Sequence, residues 1–210
     1  MNIDIVLQKG ETISDCVSKL MRFCEFDASY RNYDLVHVKE DSSLIISDVQ
    51  LANRMVARMK PEIVQSVMNR ANIINSALLH IPVGLELSSD AIPWGALENL
   101  FRVTLGPQIR AARATKILHK KRPYLIPILD SVMVSYCENV KRHYGGDEAS
   151  RMVECVRIIK TDIERNLDTF RRLIAVTDTK ITLVRAHDIL VWAYSGEYQN
   201  KFGIPPLWQR

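Results

Sequence analysis

An all-α fold is what this sequence predicts, on three observations. Apolar residues recur at helical spacing through most of the 210 positions. Proline, glycine and capping residues interrupt those stretches at intervals that suit helices. Strand-like alternation is confined to a minor β-hairpin near residues 34–46, where LVHV and SLII flank the charged turn KEDSS. Length and composition fit one compact unit over residues 1–210.

The elements follow in order. After IDIVL, Thr12 or Ser14 caps a helix to about Phe26, with Ile13, Val17, Leu20, Met21 and Cys24 on its apolar face. Ser47 and Asp48 cap a helix that runs to about Met59, and Pro61 stops it while opening the next. That next helix, roughly Glu62 to Leu79, buries Ile63, Val67, Ala71, Ile74 and Leu78. Pro93 starts the helix ALENLFRV, which Gly106-Pro107 ends. A short helix from Ala111 to Lys121 stops before Pro123. Asp130 caps a helix from Ser131 to about Tyr144, and Gly145-Gly146-Asp147 forms a loop. Helices over about Glu148–Ala175 and Lys180–Ser195 complete the set, and the tail GIPPLWQR is extended.

Composition excludes several classes. Hydrophobic residues make 47% and charged residues 25%, as in ordinary globular domains, so a disordered or fibrous chain is not expected. No apolar run approaches the roughly 20 residues of a membrane helix, and IDIVL is too short for a signal peptide. A cytoplasmic protein without a membrane partner is the expectation. Cys16, Cys24, Cys137 and Cys155 are scattered without ligand spacing, so neither a metal nor another cofactor is anticipated. Oligomeric state is open.

Charge is uneven. Between Asn99 and Leu129 there is no acid, while Arg102, Arg110, Arg113, Lys116, Lys120, Lys121 and Arg122 are basic. Net charge is only +4, so the rest of the chain is acidic on balance. At about 100° per residue, Arg113, Lys116 and Lys120 fall within about 60° of arc and form a stripe. Such a stripe either meets phosphates of DNA or is a solvated helix face. The helix N-terminus beside it offers amide donors to an anion. Pro127-Ile128-Leu129-Asp130 then ends on a single acid, which is at least a helix cap.

A tight turn, an alanine-rich short helix, a basic loop and P-I-L-D leading into another helix resemble the helix-hairpin-helix DNA glycosylases, the HhH-GPD superfamily that includes adenine glycosylase and endonuclease III. The resemblance covers residues 105–144 and implies a two-lobed helical bundle that grips DNA through the hairpin. It also implies that Asp130 is the acid acting on the glycosidic bond of a flipped base. The hairpin reads Leu105-Gly106-Pro107-Gln108-Ile109-Arg110 in place of the glycine-rich L-P-G-V-G. At the spacing of the superfamily's Schiff-base lysine stands Ala112, and Lys116 lies one helical turn further on.

The expected site is therefore Asp130 with Lys116 as catalytic candidates, and Arg110, Arg113, Lys116, His119, Lys120, Lys121, Arg122 and Tyr124 as DNA contacts. His119 reads as a phosphate contact or a solvent-facing histidine, and Tyr124 as a base-stacking wedge or a packed turn residue. His187 and Trp94 read as packing residues. Two other readings fit the same residues: a catalytically inactive DNA-binding relative, and a helical interaction module with a basic surface.

Overall fold

The computed structural model describes residues 2–39, 41–141 and 146–195. It is predominantly helical, as expected, and has one small antiparallel sheet. That sheet pairs β1 (Ile5–Val6) with β2 (Thr12–Ile13), so the hairpin forms at the N-terminus and not at 34–46. Ile3, Ile5, Leu7 and Ile13 alternate inward, and Gly10 takes φ 83° in the turn, a conformation that glycine reaches without strain.

Residues 34–46 carry strand-like side chains, yet other groups occupy their backbone. Lys120 Nζ donates to the Asp34 carbonyl, Lys121 Nζ to that of Lys39, and Arg122 Nη1 to that of Asp41. Leu44 N donates to Asn75 Oδ1. With these four groups engaged by side chains, they are not free to join a ladder.

Three helices expected from the sequence, at about 48–59, 62–79 and 148–175, are each divided. α1 (Cys16–Phe26) is followed by a wide helical turn at Tyr30–Asp34, then α2 (Ile46–Leu51) and a tighter turn at Ala52–Met55. α3 (Pro61–Met68) and α4 (Ala71–Leu78) replace one continuous helix. Between them Arg70 leaves helical geometry (φ −105°, ψ 4°) and its guanidinium reaches the Val103 carbonyl. α5 (Trp94–Thr104) and α6 (Ala111–Leu118) flank the 105–110 hairpin, and a tight turn at His119–Lys121 continues α6. α7 (Ser131–Val140) precedes α8 (Glu148–Arg165), α9 (Leu167–Thr177) and α10 (Leu183–Tyr194).

The break between α8 and α9 falls at Asn166, which leaves helical geometry at φ −116°, ψ 21°. Its side chain accepts from Val6 N and donates to Val6 O, completing the free edge of β1 as a strand would. α7 ends at Val140, with Lys141 already extended, short of the expected end near Tyr144; residues 142–145 and the tail GIPPLWQR lie outside the described residues.

One apolar cluster runs from Ile3 to Ala193, with α8 packing against α5, α7, α9 and α10, and α1 against α9 and α10. No described helix is long and apolar enough to cross a membrane. The four cysteines are free, with Cys16, Cys137 and Cys155 buried.

Candidate functional site

Asp130 owes its position to two clamps on the segment before it. Ile126, Ile128 and Leu129 are buried outside any helix or strand, where unpaired amides would be costly. Ile128 N donates to Asp188 Oδ2 on α10 at 2.9 Å, and Leu129 N to Thr115 Oγ1 on α6 at 3.0 Å. Pro127 has no amide to satisfy. The chain then enters α7, where Asp130 Oδ1 accepts from Val132 N and Met133 N, both at 3.0 Å. Asp130 is a helix cap, as predicted. Its Oδ2 accepts no hydrogen bond from the described residues.

Asp130 also lines a cleft of about 360 Å³. Lys116 of α6 and Met133 of α7 border it, with Phe23 and Asp27 from the end of α1. Arg54, Met55 and Val56 form one rim, and Arg185, Asp188, Ile189 and Trp192 of α10 form a wall. The two expected catalytic residues are thus brought together. Lys116 is half-buried, which lowers its pKa, while the nearby Asp130 charge opposes that shift. Ala112 and Asp130 share a second hollow of about 260 Å³ between α6, α7 and α8.

The expected DNA contacts are placed differently. Arg113 donates from Nε to the Ala57 carbonyl at 2.8 Å and from Nη2 to that of Arg58 at 3.2 Å. Lys116 Nζ donates to Met55 O at 2.8 Å, and Lys120 Nζ to Asp34 O at 2.9 Å. The stripe exists, but it is a rack of donors for backbone carbonyls. The loop it holds needs them, because Val56 and Arg58 adopt left-handed φ of 58° and 51°, unfavourable for side chains with a Cβ.

Lys121 and Arg122 are buried, at 2% and 1% exposure, contrary to the expected surface contact. Lys121 pairs with Asp48 at 2.7 Å and Asp41 at 3.2 Å. Arg122 satisfies the Leu78 and Ile81 carbonyls at the end of α4, where a cation is favoured. His119 is also buried; Nδ1–H donates to Ile126 O at 2.6 Å and its ring stacks on Tyr33. Burial pushes its pKa down to about 3, with the Ile126 hydrogen bond opposing and the cations Arg185 and Lys120 adding.

Arg110 is exposed but pairs with Glu148 at 2.8 Å. The other Glu148 oxygen accepts from Ala111 N at 3.0 Å, so a carboxylate of this chain occupies the α6 N-terminus at the hairpin. Tyr124 is exposed and borders two other hollows, neither lined by Asp130. His187 and Trp94 pack as expected: His187 bonds Asp162 at 3.1 Å, and Trp94 lies under Arg157.

Three features escaped the sequence reading. Asp188 is 3% exposed and its Oδ1 has no partner, a condition that costs about 1–3 kcal/mol in a buried site. Burial drives its pKa well up; Arg185 and the Ile128 amide pull it back, and Asp130 and Asp34 push it further up. Arg185 is itself matched to Asp34 by two hydrogen bonds, at 2.9 and 3.2 Å. Arg54 is an exposed cation on the cleft rim, and Arg58 and Lys60 are exposed a few residues further along the same loop. The available signal for α10 was R-A-H-D set in an otherwise apolar helix.

Neither the curated proteins nor the solved structures include a match to this chain. Residues 33–195, which carry the cleft apart from Phe23 and residues 27–29, match the model of DUF6308, and the chain therefore belongs to that family of unknown function.

Proposed function

We propose that this chain is a DNA-binding protein of glycosylase type whose cleft takes a flipped base, with Asp130 acting at the N-glycosyl bond. The observation that carries this reading is the meeting of Asp130 and Lys116 on one cleft. Anchoring Oδ1 in the helix cap leaves Oδ2 available at the cleft, held without conformational freedom. In hydrolysis the bond from the sugar carbon to the base nitrogen breaks and its electron pair leaves with the base. Water oxygen then bonds to that carbon, and its proton leaves to solvent or the base. An ionised Asp130 stabilises the positive charge that develops on the sugar.

Phe23, Trp192 and Met133 offer apolar faces for a flat ring. Lys116, tied to Met55 O, supports the rim; Schiff-base chemistry would require that hydrogen bond to open. Phosphate contact falls to Arg54, Arg58 and Lys60, because the α6 cations are engaged within the fold.

Base release from oligonucleotides bearing a panel of damaged and mismatched bases tests the reading. Wild-type protein should release a base and Asp130→Asn should not, with both folding alike. If the wild type releases none yet binds duplex DNA with a steep salt dependence, the inactive DNA-binding relative replaces this reading. Glu148 on the Ala111 amide favours a further alternative, a helical interaction module, which salt-insensitive or absent DNA binding would support.

A further inference from the structure

Among the described residues, four buried side-chain nitrogen or oxygen atoms lack a hydrogen-bond partner: Arg22 Nε, Arg70 Nη2, His187 Nδ1 and Asp188 Oδ1. Of these residues, Asp188 lines the Asp130 cleft. Its carboxyl group is oriented, since Oδ2 is fixed by Ile128 N at 2.9 Å. A buried polar atom left unpaired beside an open hollow is a site for a partner that the protein does not itself supply.

The sense of the missing bond follows from the surroundings. Arg185, one turn earlier on α10, is already matched by Asp34, so a second ionised carboxylate here would be only partly compensated. Burial together with Asp130 and Asp34 favours the protonated form, against the opposing pull of Arg185 and the Ile128 amide. Because Oδ2 accepts an N–H, the proton of the protonated form resides on Oδ1, an O–H donor buried in the wall of the cleft. The lining of the cleft combines apolar Phe23, Ile189 and Trp192 with charged Lys116, Asp130 and Arg185.

We infer that Asp188 is a recognition residue of the cleft, its Oδ1–H donating to a ring nitrogen or carbonyl oxygen on the edge of a bound flat heterocycle. This rests on the reading of the cleft as a base-binding site, but it concerns ligand selection and not bond cleavage. A ligand edge that carries only N–H donors gains nothing from Asp188, whereas one with an acceptor completes its hydrogen bonding.

Benzimidazole and indole test this directly, because they share a shape and an N–H while only benzimidazole has a ring-nitrogen acceptor. In calorimetric titrations of the full chain at pH 7.5, benzimidazole should bind about tenfold more tightly than indole. Asp188→Asn should keep that preference, its amide N–H standing where the O–H stood with its oxygen on Ile128 N. Asp188→Leu should erase it. Equal binding of the two ligands, no binding of either, or a preference that survives in Asp188→Leu would overturn the inference, as would loss of preference in Asp188→Asn. The wild-type comparison needs no variant, and the unfolding midpoint shows whether Asp188→Leu is folded. Base release can fail while this preference holds, and the reverse, so the two proposals stand or fall separately.

Discussion

Lys116 Nζ lies 2.8 Å from the carbonyl oxygen of Met55, so a cation that the sequence places on an outward stripe holds the rim of the cleft. Arg113 does the same for Ala57 and Arg58. Removing these donors leaves carbonyls unpaired in a loop whose backbone is already unfavourable. Arg113→Ala and Lys116→Met should each lower unfolding free energy by about 1–3 kcal/mol, measured in urea. A loss confined to DNA affinity, with stability unchanged, would contradict this placement.

Val56 offers the converse test. It is 64% exposed and β-branched at φ 58°, so it gives little packing in return for its strain. Val56→Gly should stabilise the fold by about 1 kcal/mol, visible as a higher urea midpoint. Loss of stability would mean that the valine packs on something other than the described residues.

At Asp130, folding and chemistry can be separated. Asp130→Ala removes the cap and should cost about 1 kcal/mol, while Asp130→Asn retains an acceptor and should cost only a few tenths. Thermal unfolding of both variants checks the difference. Only with that difference in hand does loss of base release in the Asn variant report on the carboxylate.

Two buried groups give opposite pH dependences. His119 has its pKa lowered from 6.5 to about 3, so its contribution is present above about 6.5 and is lost as pH falls toward 3. His119→Gln should flatten the acid limb of a stability–pH curve. Asp188 has its pKa raised well above 3.8, chiefly by burial. Its contribution is full below 3.8 and is lost as pH rises through the raised value. Asp188→Asn should therefore flatten the curve on its rising-pH side, in urea titrations from pH 4 to 9.

Glu148 predicts how the hairpin responds to anions. Its carboxylate accepts from Ala111 N and pairs with Arg110, so Glu148→Ala should free both groups for a phosphate. Duplex DNA affinity at low salt should rise several-fold in filter binding or polarisation. Unchanged affinity would place the DNA contact, if any, away from the hairpin.

Much of the fold was legible because helical periodicity and prolines mark helices well, and Asp130 was legible as a cap because the segment before it must end at a helix. What was not legible depended on long-range partners. The stripe of Arg113, Lys116 and Lys120 is real in helical projection, but a projection does not show that another loop's carbonyls lie against it. LVHV and SLII have strand-like side chains, yet cations from 120–122 and Asn75 claim the backbone beside or within them, at Asp34, Lys39, Asp41 and Leu44. Asn166 divides a periodic helix because its side chain serves β1, which lies 160 residues away in the chain. Asp188 was missed because its significance lies in an oxygen without a partner, a condition that only the packed fold defines.

Contacts of that span bear on how the polypeptide is made. Val6 and Gln8 depend on Asn166 and Asp162, Asp34 on Arg185, and Ile128 on Asp188. Val6, Gln8 and Asp34 therefore leave the ribosome well before these partners are made, and Asp34 waits for α10. Loop closure over such distances is slow, and docking of this segment in the cell is expected to await the synthesis of α10, with chaperones guarding the interval.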